Sequence, residues 1–144
     1  MRDKALKLLG LMRRAGAIEL GADRAADVTR SGKCRLLLLA SDAGENVRKK
    51  ADNALNGHSA QRIELPFTRI ELSEALGVGD CTMAAITDMG FAEAFVKLLV
   101  ELDGETYAEA AGNIAAKRGK MLRRKTEKGR KEQLKSNGKR RTNI

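Results

Sequence analysis

"CRLLLLASDAGENVRKKADNALNGHSAQRIEL" (Cys34–Leu65) runs four consecutive leucines into a charged segment and out again into a short apolar run. "CRLLLLA" shows no alternation of polar and apolar residues and is bounded by polar turns, so it predicts a strand buried on both faces. "SDAGENVRKKADNAL" opens with Ser41 and Asp42, side chains suited to accept from the first helical amides, and predicts a helix to about Leu55. "QRIEL" is a second core strand, stopped by Pro66, which has no N–H to give to a ladder. Strand, helix and strand in this order form a βαβ unit, the element of an α/β sheet with helices on both faces.

The flanking sequence extends the same pattern. Ala5, Leu6, Leu8, Leu9 and Met12 recur at helical spacing, giving a first helix over about Lys4–Arg14. "AGAIEL" is a turn and a short extended piece, and Ala22–Ser31 is a helix that Gly32 ends. In "TRIELSEALG", Thr68 and Glu71 have the three-residue spacing of a capping box, and Gly77 follows the end. "TMAAITD" is another buried strand, and "GFAEAFVKLLVELDG" a fifth amphipathic helix. The fold class is therefore α/β, a three-layer α/β/α sandwich over about residues 1–104. Residues 105–144 are a basic tail. "ETYAEAAGNIAAKRGK" can carry one more helix, and from Lys117 onward the high charge predicts a segment that is disordered or partly helical in isolation.

Charge divides the chain at the same place. Residues 117–144 hold 13 Lys/Arg and two Glu, a net +11, while the first 116 hold 15 Lys/Arg against 17 Asp/Glu, a net −2. The tail therefore carries all the excess of the +9 total. Such a segment suits phosphate neutralisation, which releases condensed counterions and gives salt-sensitive affinity. Arg118, Lys120, Arg123, Arg124 and Lys125 are its densest cluster. With three Phe, one Tyr and no Trp, an aromatic platform for stacking bases is not expected.

Enzyme motifs are absent. No GxGxxG follows a strand, no Walker-type loop precedes Lys-Ser/Thr, and "GVGD" (Gly77–Asp80) lies after a helix and before a strand, the reverse of a nucleotide loop. There is no nucleophile elbow. Cys34 and Cys81 lie too far apart for a zinc knuckle or redox pair and read as reduced structural thiols; His58 has no second His with which to share a metal. No enzyme activity, cofactor or metal is expected. No apolar run nears the roughly 20 residues of a membrane span. "MRDKALKLLGLMRR" reads as an amphipathic helix rather than a signal peptide, so the expected location is cytoplasmic, with no membrane partner.

The most specific local feature is "ELGADRAAD" (Glu19–Asp27), where a glycine opens a helix. Glycine lets backbone come close to a ligand, and the first-turn amides point outward as donors. Asp23 can only accept, and so can take the N–H donors of a guanine edge, while Arg24 offers a planar fork of donors to phosphate or to guanine acceptors. The alternative is a flexible turn followed by an exposed Arg24–Asp27 ion pair. The residues alone leave both open.

"LLGLMRRAG" (Leu8–Gly16), "RSGKCRLLLLASDAGENVRKKAD" (Arg30–Asp52), "LSEALG" (Leu72–Gly77) and "AAITDMGFAEAF" (Ala84–Phe95), in that order, resemble the bacterial branch of the family of large-subunit ribosomal proteins seven-Ae and thirty-e, which binds kink-turn RNA. The resemblance covers about residues 6–100 and implies an α/β/α sandwich with a mixed four-stranded sheet. It also implies RNA contact at the start of the second helix, through Gly21, Ala22, Asp23, Arg24 and Asp27, with Lys33. The loop before the last core strand, Val78–Met83, is the second contact, through Cys81, Thr82 and Met83. The wider family has Glu where this chain has Arg24 and Lys where it has Asp27, so both charges are reversed. The expected partner is structured RNA, rRNA or another RNA of the translation apparatus, with the ribosome or translation factors as associates. Two other readings stay open: a protein-interaction module on the same fold, and a detached substrate-recognition domain of an RNA-modifying enzyme.

Overall fold

A computed structural model of the chain describes residues 2–142, with side chains through Arg124. Its elements are α1 (Arg2–Arg14), β1 (Ile18–Leu20), α2 (Ala22–Arg30), β2 (Leu36–Leu39), α3 (Glu45–Leu55), β3 (Gln61–Glu64), α4 (Arg69–Leu76), β4 (Met83–Ile86), α5 (Met89–Leu102) and α6 (Gly104–Thr142). The sheet has the order β1-β4-β2-β3. β2 and β3 run parallel, as the βαβ reading requires, and β4 is antiparallel to both β1 and β2. This is the mixed four-stranded α/β/α sandwich expected.

The two-residue period of a strand sorts the side chains into two cores. Leu36, Leu38, Ala84 and Ile86 pack with Leu9 and Met12 of α1, Leu72 and Leu76 of α4, and Phe95, Val96 and Leu99 of α5. Leu37, Leu39, Met83 and Ala85 face the other way, onto Ala25 and Ala26 of α2 and Ala51 and Ala54 of α3. Small residues on α2 and α3 bring those helices close to a sheet face that carries bulky leucines.

Local signals act as read at most helix ends. Thr68 and Glu71 form the reciprocal capping box, and Gly77 ends α4 in the left-handed region at φ 70°. Gly32, at φ 81°, follows α2. Ser41 and Asp42 are a correction: Gly44 is the N-cap of α3 and no side chain caps it. Ala43 is buried and turns back onto the Ala40 carbonyl, which delays the helix, and Asp42 accepts instead from the Arg69 amide at 2.8 Å.

The packed unit extends past Gly104. Tyr107, Ala110 and Ile114 of α6 are buried in the larger core, and Tyr107 Oη donates to the Glu64 carbonyl at 2.5 Å. Gln61 Nε2 donates to the Ala110 carbonyl at 3.4 Å and Lys117 Nζ to that of Ser59. α6 thus packs chiefly on α5 and is tied to β3, the outer strand, through the Tyr107 and Gln61 hydrogen bonds. Among the described residues, no helix is long and apolar enough to cross a membrane.

Candidate functional site

The start of α2 meets the end of the loop that precedes β4. Gly21 donates its amide to the Met83 carbonyl at 3.0 Å, fixing the junction of β1 and α2 against β4. Its φ of 93° with ψ of 151° lies in a region that only glycine occupies readily. A Cβ there would meet nothing within 4 Å, so the glycine answers a backbone demand rather than crowding. No side chain caps α2, so its first-turn amides keep their donor capacity toward solvent.

Around this junction lies a shallow groove of about 410 Å³ lined by Arg13, Leu20, Gly21, Arg24, Val78 and Asp80. Arg24 is exposed and its side chain has no hydrogen-bond or ion-pair partner among the described residues. The Arg24–Asp27 pair weighed from the sequence does not form; Asp27 pairs with Arg30 at 2.7 Å, both largely exposed. Asp23 is held by Lys50 of α3, whose hydrogen bond and charge lower its carboxyl pKa. Asp23 thus stays an ionised acceptor at the helix start, where the positive end of the dipole also favours it.

The residues expected at the site fall into separate places. Gly21, Ala22, Asp23, Arg24 and Thr82 share one end of the sheet with the Val78–Asp80 turn. Cys81 and Met83 reach that end only with their backbones, because both side chains are buried. Cys81 Sγ donates to the Met83 carbonyl at 3.4 Å, and its amide donates to Ser73 Oγ at 2.8 Å. Their side chains are core, which corrects their assignment as contacts. Lys33 lies beyond the other end of α2, where Arg35 donates its amide to the Ile86 carbonyl, so the fold does not bring it to Gly21. Arg118 pairs with Glu93 of α5 at 2.9 Å, while Lys120, Arg123 and Arg124 are exposed on α6. The Lys125 side chain lies outside the described residues.

Arg13 is a site residue that the sequence reading missed. Its guanidinium donates to the Leu76 carbonyl, and to that of Gly77 at 3.1 Å, placing a cation at the C-terminal end of α4 beside the groove. The signal was the basic last turn of α1, but its target is fixed only by the packing of α1 on α4. Cys34 and Cys81 are free and buried, and burial pushes both thiols up, so they stay protonated. No cluster of three or more His, Cys, Asp or Glu able to hold a metal occurs among the described residues.

An α/β/α sandwich with an open, glycine-started helix beside the loop entering the central antiparallel strand defines the class of this protein. Known proteins refine it. The RNA-binding protein YlxQ of Bacillus subtilis (strain 168) is 31% identical over 96 residues, which are 64% of this chain and 91% of that protein. RNA-binding protein YlxQ of Enterococcus faecium is 31% identical over 98 residues, 68% of this chain and 93% of that one. The chain belongs to the YlxQ family, within the wider family of ribosomal proteins seven-Ae and thirty-e. No protein-family model matches it. A protein of unknown function from Bacillus halodurans C has a similar structure, with a TM-score of 0.60 and 27% identity over 66% of this chain and 95% of that one. The Giardia lamblia 15.5kD RNA binding protein shares the fold at a TM-score of 0.52 and 22% identity, over 77% of this chain and 84% of that one.

Proposed function

We propose that this chain is a non-enzymatic RNA-binding protein that recognises structured, kink-turn-like RNA, rRNA or another RNA of the translation apparatus. The observation that carries the reading is the Gly21 junction. An uncapped helix start, an unpaired Arg24 and the Val78–Asp80 turn converge on one groove, in a chain whose relatives are named RNA-binding proteins. In this mechanism the first amides of α2 and the Arg24 fork take phosphate or guanine acceptors, and Asp23 takes base donors. The groove supplies shape recognition, and the cations of α6 supply salt-sensitive affinity through phosphates.

The test is a titration of parent, Arg24→Ala and Asp27→Lys against one kink-turn RNA and an unkinked duplex. Arg24→Ala should weaken kink-turn binding by about 1–3 kcal/mol, the range of one good bidentate contact. Its stability should barely change, because the side chain has no partner to lose. Asp27→Lys removes a negative charge along the same helix and should tighten kink-turn binding. If both variants bind like the parent and neither RNA is preferred, the α2 start is not the RNA contact.

A further inference from the structure

The face of α6 that enters the core does not end where the core ends. Tyr107, Ala110 and Ile114 recur at spacings of three and four, and the same row continues as Lys117, Met121 and Arg124, with Lys120 beside it. The row turns cationic while still facing the fold, over the end of the sheet where β2 and β3 begin. There it encloses a cleft of about 300 Å³ lined by Cys34, Arg35, Ser59, Ala60, Met89, Lys117, Lys120, Met121 and Arg124. Four of those residues are cationic and none is acidic.

The walls are fixed from two sides. Lys117 Nζ donates to the Ser59 carbonyl, tying α6 to the loop before β3, and Arg118 pairs with Glu93, tying it to α5. The nearby carboxylates are engaged elsewhere: Asp88 caps α5 through the Phe91 amide, and Glu93 takes Arg118 and Lys97. The side chains of Arg35, Lys120 and Arg124 have no hydrogen-bond or ion-pair partner among the described residues. Like charges converging on a partly enclosed space lower their energy most by sharing an anion, and a row of cations at helical spacing fits a row of phosphates better than a single one.

We propose that this cleft is a second RNA seat, which takes the sugar–phosphate backbone of the RNA beyond the kink. It rests on the RNA-binding reading above but concerns the opposite end of the molecule: Gly21 is tied to Met83, at one end of β4, and Arg35 to Ile86, at the other. The protein thus grips one RNA at both ends of its sheet, with Arg35 just before β2 working together with Lys117, Lys120 and Arg124 of α6. The cleft contains no aromatic side chain, so it positions backbone and does not stack bases.

The test uses the full chain and a kink-turn RNA whose stem extends well beyond the kink, titrated over a range of salt. Arg35→Glu and Lys120→Glu should each weaken binding about tenfold or more, the scale of one charge-assisted hydrogen bond to phosphate. Each should also reduce the slope of log affinity against log salt by about 0.7–0.9. Lys7→Glu, the same charge change on the exposed surface of α1, controls for net charge and should do much less. Should Arg35→Glu lose its native circular dichroism, Arg35→Gln replaces it, with a smaller drop in affinity in the same direction. If the parent binds no RNA, the RNA-binding reading fails and the seat with it. If the parent binds and Arg35→Glu and Lys120→Glu match Lys7→Glu, only the seat is overturned. Binding of polyglutamate that depends on Arg35 while RNA binding does not would overturn it in favour of an acidic protein partner.

Discussion

If the chain is ended at Asp103, the core loses everything α6 inserts into it. Ile114 and Tyr107 are buried, at 0% and 4% exposure, and each side chain of this size contributes about 1.5–3 kcal/mol. The Ala110 methyl adds roughly 0.8 kcal/mol and the hydrogen bond from Tyr107 to Glu64 about 1 kcal/mol. A loss of about 5–8 kcal/mol is comparable with the whole stability of a small domain. It would also uncover the part of α5 on which α6 packs. Ending the chain at Ala116 instead keeps all three side chains. Among the contacts described above, it removes the Lys117–Ser59 bond and the partly exposed Arg118–Glu93 pair, each worth about 1 kcal/mol or less. Urea unfolding followed by circular dichroism should therefore show the first chain unfolded or barely stable, and the second close to the full length. The smaller truncation should still abolish most RNA affinity and much of its salt dependence, since the +11 segment is gone. A chain ended at Asp103 that unfolds at the full-length urea concentration would refute the structural role given to α6. Equal affinity and salt slope for the chain ended at Ala116 would remove the α6 cations from the mechanism.

Gly21→Ala should lower stability by about 1–3 kcal/mol through backbone strain alone, because φ is 93° and the added methyl meets no neighbour; an unchanged urea midpoint would show that the α2 entry relaxes freely. Glu71 accepts from Arg2 and from the Thr68 amide, interactions that hold its pKa below the ordinary carboxylate value. A depressed folded pKa gives stability that is present above the unfolded value and is lost as pH falls through the folded one. Glu71→Gln should thus melt below the parent at neutral pH, and the gap should close in acid; a gap independent of pH would contradict the assignment.

Much of the candidate site was legible at its centre and illegible at its edges. The glycine-started helix can be read because its geometry is local: one residue's φ and ψ decide it. The side chains of Cys81 and Met83 are buried because helices cover both faces of the sheet here: Cys81 packs in the larger core and Met83 in the core under α2 and α3. Asp23 meets Lys50, 27 residues on, and Arg13 reaches carbonyls more than 60 residues away. Nothing in the spacing of either sequence segment announces such a partner. A further helix after Gly104 was legible, but that Tyr107, Ala110 and Ile114 enter the core depends on the distant elements against which α6 packs.

The sequence by itself determined the order of helices and strands, the capping box of Thr68 and Glu71 and the left-handed stop at Gly77. Each of these rests on interactions within one or two turns of chain, where residue type and spacing are the whole cause. Tertiary structure alone decided that β4 inserts antiparallel between β1 and β2, that α6 packs on α5, and that Arg35 shares a cleft with Lys120 and Arg124. Those arrangements join residues dozens of positions apart, and they form only because burying both faces of the leucine strand leaves each helix a fixed place to lie.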